Sequence, residues 1–253
     1  MSLRLRVATY NIHKGVVHLP GSLSPRPSVH ELRDRLHALQ PDIVFLQEVQ
    51  GKNNRFAERY QHWPSDPQAQ YLALAPDEDG GFEAVYGLNA RYLHGHHGNA
   101  LLSKYPVVSI ENRDFSDHVL ERRGVLHCVL QLGGRAVHCF VIHFGLFARS
   151  RLRQADALIK WIRAEVPHDA PLLVAGDFND WRDQLSQHLI AGLSVHEVLS
   201  SARTYPALMP CLRMDRIYVR GFEVEQATVL GGYRWAKLSD HAPVVADLRM
   251  EDE

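Results

Sequence analysis

The chain has 253 residues, enough to bury a sizeable core within one domain, and its 28 basic against 29 acidic residues leave a formal net charge of -1. That balance argues against bulk electrostatic attraction to nucleic acid or an anionic membrane. Three cysteines, Cys128, Cys139 and Cys211, with no C-x-x-C pair, argue against a thiolate zinc site and fit a reducing compartment, with burial as small hydrophobes the expected role.

The first residues, M-S-L-R-L-R-V-A-T-Y, lack the apolar core of a signal peptide, and no apolar run approaches a membrane span. A soluble, cytoplasmic protein with no implied protein partner is the expectation. No repeat, charge block or Gly/Ser tract divides the chain, and the Pro/Ser-rich patch at 19–28 reads as a loop, so residues 1–253 are expected to form one domain.

Residues 4–10 alternate polar and apolar side chains, which predicts a strand delivering Asn11, a neutral oxygen donor, to its end. Ser28 and Glu31 have capping-box spacing ahead of a Leu32, Leu36, Leu39 stripe that Pro41 stops. Residues 42–46 read as a buried strand carrying Gln47 and Glu48 at its end. A short helix is expected at 53–60, and strands at 70–75 and 82–88 around an acidic turn at 77–81. G-H-H-G-N-A then places Asn99 ahead of a further strand; His96 and His97, being adjacent, should face opposite sides and not ligate jointly.

Strands are expected at 107–112, 125–132 and 135–143, the last two joined by a tight Gly133-Gly134 hairpin, with His143 at the final end. Ser150 is the expected cap of an amphipathic helix bearing Leu152, Ala155, Leu158, Ile159, Ile162 and Val166. Arg149, Arg151 and Arg153 cluster at its start against the helix dipole, which marks either an anionic partner or a solvated face. Residues 172–175 form a short apolar run between a proline and Gly176, a strand buried on both faces whose end carries Asp177 and Asn179, two apart and aimed at one space. A strand opening with Asp215 follows, then S-D-H-A-P, where Asp240 and His241 face different groups, then a last strand at 244–248.

The predicted strand ends carry Asn11, Glu48, Asn99, His143, Asp177, Asn179, Asp215, Asp240 and His241, carboxylates, carboxamides and histidines without a thiolate. Such a set suits a hard cation, Mg²⁺ or Mn²⁺, and phosphoester hydrolysis is the chemistry that most needs one. No nucleophile elbow, H-E-x-x-H, Walker A loop or G-x-G-x-x-G turn competes.

T-Y-N-I-H at 9–13, L-Q-E-V at 46–49, H-G-N-A-L-L-S-K at 97–104, Ile142-His143, G-D-F-N at 176–179, D-R-I at 215–217 and S-D-H-A-P at 239–243 stand in one order. With them the chain resembles the endonuclease/exonuclease/phosphatase (DNase I-like) superfamily, and with G-H-H-G-N-A and E-R-R-G at 121–124, a short bacterial subgroup of it. The resemblance implies a four-layer α/β sandwich, two mainly antiparallel sheets face to face with helices outside, and a metal-dependent phosphohydrolase site at one end. Carried over by position, Glu48 is the principal metal ligand with Asn11 and Asp240 close by. Asp177 orients and deprotonates the water, and Asn179 holds that water or a phosphate oxygen. His241 paired with Asp215 donates to the phosphoryl group, and His143 and Asn99 stabilise charge on its oxygens.

The resulting expectation is a phosphodiesterase acting on a small or lipid-derived phosphodiester, with a DNA or RNA nuclease and a non-catalytic binding module as alternatives. Lys14, Arg122, Arg123, Arg149, Arg151 and Arg153 are the candidate phosphate contacts, beside an apolar rim of Phe144, Leu146, Phe147, Trp181 and Trp235.

Overall fold

A computed structural model describes residues 3–18, 24–76, 80–119 and 121–250. In chain order the elements begin with β1 (Arg4–Asn11), β2 (Val16–Val17), β3 (Arg26–Pro27), α1 (Val29–Ala38), β4 (Ile43–Asn53), α2 (Asn54–Arg59) and α3 (Gln68–Ala73). They continue with β5 (Glu83–Tyr92), β6 (Gly95–Ser103), β7 (Val107–Asp114), β8 (Gly124–Leu132), β9 (Arg135–His143) and α4 (Ala148–Glu165). The last third holds β10 (Leu172–Asp177), α5 (Ser186–Leu193), β11 (His196–Glu197), β12 (Asp215–Arg220), β13 (Phe222–Val229), α6 (Tyr233–Ala236) and β14 (Val244–Met250).

Two six-stranded sheets result, ordered β13-β14-β1-β4-β6-β5 and β11-β12-β10-β9-β8-β7. Period-two alternation explains their layering, since successive side chains of one strand leave on opposite faces. Phe45 of β4 and Leu173 and Ala175 of β10 point into the core between the sheets, with Val7, Leu101, Leu126 and Ile217. Their neighbours Val44 and Leu46 pack outward under α1, α3 and α6, and Leu172 and Val174 pack outward under α4 and α5. Helix, sheet, sheet, helix is the four-layer order expected, and strands covered on both faces are apolar throughout for that reason.

Two strand pairs are parallel, β1 with β4 and β9 with β10, while the other pairings among the described residues of the two large sheets are antiparallel. The parallel pairs aim the carboxyl ends of β1, β9 and β10 at one end of the sandwich. The antiparallel β12 begins there, with Asp215 opposite Asp177.

Several local expectations are corrected. The strand predicted at 70–75 is the end of α3, because Ala69, Leu72 and Ala73 are buried at helical spacing. Ser28 precedes α1 but makes no capping bond; its buried hydroxyl donates to Leu238 O at 2.8 Å, and Glu31 accepts from Arg35 instead of reaching back. Helix α4 starts before Ser150, at Ala148, and Ser150 Oγ donates to Asp117 at 2.6 Å. Leu152 leaves the apolar stripe for solvent, and Cys211 is exposed while Cys128 and Cys139 are buried. The Gly133-Gly134 hairpin forms as expected, both residues at positive φ. Residues 77–79 of the acidic turn and 19–23 of the Pro/Ser-rich patch lie outside the described residues.

Between the second sheet and α4 lie two buried histidines, His127 and His138, with Nε2 of the first 3.0 Å from Nδ1 of the second. His127 stacks on Phe140 at 4.1 Å, and burial pushes it down to about 4; burial lowers His138 as well. A histidine whose folded pKa lies below its unfolded value near 6.5 stabilises the fold fully above that value and loses the contribution as pH falls toward 4. Urea unfolding at pH 5 should therefore occur earlier than at pH 7, with about 1–2 kcal/mol of the loss carried by this pair. A His127→Leu/His138→Leu variant should show a smaller difference between the two pH values; an unchanged difference refutes the assignment.

Candidate active site

The end toward which β1, β9 and β10 run collects the polar residues. Asn11 closes β1, His143 closes β9 and Asp177 closes β10, all buried. Glu48 arrives differently. It lies within β4, where the register with β6 slips between Leu46 and Val49, and its φ is 57°. An inserted residue re-aims the side chains that follow, and the left-handed backbone turns Glu48 into the site at a strain cost of about 1–3 kcal/mol. Asn179 has a φ of 51°, so a second site residue carries the same strain. Gly176 sits where a Cβ would come within 1.9 Å of Ile142 O, so only glycine lets β10 approach β9 this closely.

Asp177 is held from both oxygens. Asn11 Nδ2 donates to Oδ2 at 3.0 Å and the Asn179 backbone N–H donates to Oδ1 at 2.9 Å. His241 Nδ1 donates to Asp215 Oδ2 at 2.8 Å, and its Nε2 lies 3.9 Å from Asp177 Oδ2. Burial opposes charge on His241, but Asp215 and Asp177 overcome it and push the imidazole up to about 10. Burial raises Asp177 well above the usual carboxylate range. His143 Nε2 lies 3.7 Å from Asp177 Oδ2, and burial with nearby Arg123 keeps this imidazole neutral.

Burial also opposes the charge on Glu48, yet neighbouring cations hold its carboxyl well below the usual range. With His143 neutral, Lys14, whose Nζ is 3.3 Å from Oε2, His13 and His241 supply that field. Glu48 Oε2 is buried and accepts no hydrogen bond, and Asp215 Oδ1 is likewise unpartnered. Asp177, Asp215 and His241 place donor atoms within 4.8 Å of one another, close enough to share a cation. A second such group, Glu111, His127 and Glu165, pairs its two carboxylates with the Arg113 guanidinium, whose charge takes a metal's place.

Other expected residues are placed less directly. Asn11 turns its amide N–H groups to Asp177 and Glu48, while its oxygen accepts from His13 N. Asn99 spends Nδ2 on Gly124 O and Val141 O, which ties the first sheet to the second and leaves an oxygen free, not a donor. Asn179 Nδ2 donates to Phe144 O. Asp240 accepts from His13 Nδ1 at 2.9 Å and is half-buried.

The arginine cluster needs correction. Arg151 is buried against Asp180 and Leu146 O, and Arg153 is paired with Asp117, so neither is a free phosphate contact. Arg123 bonds Glu121 and Phe144 O, Arg122 lies 3.7 Å from Asp114, and Arg149 is exposed. Phe144 and Trp235 are core residues, which reduces the apolar rim to Leu146, Phe147 and Trp181. His13 and His97 belong to the cluster's electrostatic neighbourhood without having been singled out. The signals were slight: His13 adopts a positive φ that residue type barely advertises, and His97 is the inward partner of an outward His96 bonded to Tyr86.

A two-sheet sandwich with this cluster at one end defines a phosphoester-hydrolase type of architecture. The sequence profile of the Endonuclease/Exonuclease/phosphatase family matches residues 8–241, and the chain belongs to that family, whose members are typically phosphoester hydrolases. It is similar to YbhP of Escherichia coli strain K12, at 39% identity over 252 residues, 97% of this chain and 96% of that protein. Among solved structures, a family member from Beutenbergia cavernae DSM 12333 superposes with a TM-score of 0.74 at 22% identity, covering 98% of this chain and 72% of the other. A mannosyl-6-phosphatase, Bt3783 of Bacteroides thetaiotaomicron VPI-5482, does so with 0.65 at 18%, covering 96% and 99%. At these identities the structural likeness carries the fold.

His241 tests the electrostatics. Its folded pKa is raised, so the stability it brings is full below the unfolded value near 6.5 and lost as pH rises through about 10. In NMR titrations of the metal-free protein its ring should remain charged at pH 8. Asp215→Asn should lower that midpoint by about one unit or more; an unchanged midpoint contradicts the pairing.

Proposed function

We propose that the protein is a divalent-metal-dependent phosphodiesterase acting on a small or lipid-derived phosphodiester. The observation that carries this reading is the buried Asp177–His241–Asp215 set beside Glu48, a carboxylate with a buried oxygen that no protein group hydrogen-bonds.

Glu48 and Asp240 fit Mg²⁺ or Mn²⁺ as hard oxygen donors, while Asn11, whose amide N–H groups face Glu48 and Asp177, orients those carboxylates. A bound divalent cation would polarise a phosphoryl oxygen and neutralise charge there. Asp177, raised by burial toward neutrality, is suited to accept the proton of an attacking water. Asn11 and the Asn179 N–H fix the orientation of its carboxylate. His241 keeps its proton through Asp215, and its Nε2–H is free to donate to a non-bridging oxygen as charge develops at phosphorus. Neutral His143 offers a second ring nitrogen at the same place, and Lys14 and Arg123 supply the fixed positive field. Asn99 braces the two sheets so that the residues from each hold register.

Substrate size follows from charge placement. With Arg151 and Arg153 engaged by acids, the cations at the site are few, which suits one phosphate better than a polyanion. Metal-stripped protein should hydrolyse no phosphoester of a panel, and Mg²⁺ or Mn²⁺ should restore turnover; undiminished turnover in excess chelator would defeat the reading. Asp177→Asn and Glu48→Gln should each cut turnover by a factor on the order of 10² or more at nearly unchanged melting temperature, and His241→Ala should cut turnover per folded molecule as far while also lowering the melting temperature, because it strands buried carboxylates. In the same panel a small aryl or lipid phosphodiester should outpace duplex DNA, with only a shallow salt dependence. Rapid DNA cleavage with a steep salt slope and inert small diesters would make the protein a nuclease.

A further inference from the structure

A cavity of about 320 Å³ adjoins the His13–Asp240 pair. Val16, Val17, Pro206, Ala207, Leu208 and Ala236 line it, and its polar lining is the His13–Asp240 pair with Ser239 and His18. One segment joins it to the candidate active site. The Tyr205 ring lies 5.1 Å from that of His241, and the three residues that follow are cavity lining. Ala207 N donates to Asp240 O at 2.7 Å, so the floor is fixed to the residue next to His241. Leu208, at the mouth, is 51% exposed although apolar.

The cavity is therefore mainly apolar, with Ser239 and the His13–Asp240 pair on the side of the candidate active site and His18 as one further polar residue, a lining matched to an ester with an anionic head and an apolar substituent. Its volume equals about ten water molecules at roughly 30 Å³ each, room for one aromatic ring or a short alkyl chain and too little for a diacylglycerol. A larger cavity, about 640 Å³ and lined by Gln50, Trp63, Tyr86 and His96, opens on the opposite face of the first sheet from His97; its Gln68 donates to Lys14 O, but no residue of the polar cluster itself lines it.

We propose that the cavity bounded by Val16, Val17, Pro206, Ala207, Leu208 and Ala236 receives one ester group of the substrate, and that this group is a short alkyl chain or a single aryl ring. The proposal rests on the phosphodiesterase reading and narrows it to small diesters. Each buried methylene adds up to about 0.8 kcal/mol, close to a fourfold gain in affinity.

The test is calorimetric binding of dimethyl phosphate and dibutyl phosphate to the Mn²⁺-loaded protein, with turnover of bis(4-nitrophenyl) phosphate measured in parallel. Dibutyl phosphate should bind about tenfold or more tightly than dimethyl phosphate. Leu208→Asp, which places a charge at the mouth, and Ala236→Met, which fills the cavity from another side, should each reduce that ratio toward one; the ratio is internal to each variant and survives a change in overall affinity. Equal binding of the two diesters by the wild type, or a ratio that neither variant reduces, overturns the cavity assignment while turnover leaves the phosphodiesterase reading standing. No turnover of any phosphoester together with no binding of either diester overturns both. Self-association that Leu208→Asp abolishes, with equal binding of the diesters, makes the cavity a contact between copies and overturns the proposal.

Discussion

Four carboxylates, Glu48, Asp177, Asp215 and Asp240, gather at one end of the sandwich, three of them in places where water is largely excluded. In a medium of low effective dielectric such groups repel strongly, and each would shed its charge unless a counterion were built in. The His241 imidazolium is that counterion. It bonds Asp215, faces Asp177 and lies within the field of Asp240 and Glu48, and together with Lys14 at Glu48 and His13 at Asp240 it makes the cluster compatible with folding. Removing it would strand buried charge, a larger cost than the bond itself is worth.

The same solution recurs one layer behind. Asp180, fully buried, follows Asn179, and Arg216 approaches it at 3.3 Å while also donating to its backbone oxygen. Arg151 closes the other side at 3.9 Å and lies against the Trp181 ring. The strained turn at Asn179 is thus clamped by charges that never reach the solvent, which is how a left-handed residue holds its place next to Asp177.

Much of this was legible because residue type and position coincide at strand ends. A polar residue after a buried apolar run has few reasons to be there, and Asn11, His143 and Asp177 stand out on that ground, as Asp215 does at the start of one. Glu48 was legible as a candidate but not as a bulge, since register is a property of two strands and β6 lies some fifty residues on. The arginines misled for a related reason. Their acidic partners, Asp117 for Arg153 and Asp180 for Arg151, come from segments about thirty residues away, and charge counting along the chain sees only neighbours. Ser28 and Ser150 show the limit of capping signals: a buried hydroxyl takes the strongest acceptor in three dimensions, here Leu238 O and Asp117.

The Ser239 hydroxyl donates to Asn11 O at 2.7 Å, and His13, two residues on, meets Asp240, one residue on. These contacts join parts of the chain separated by 228 and 227 residues. Loop closure over such spans gains nothing until nearly the whole polypeptide has been made, so the cluster is assembled late in folding. An emerging chain therefore carries Asp177 and His241 unassembled. The chemistry proposed for them waits until β14 takes its place beside β1.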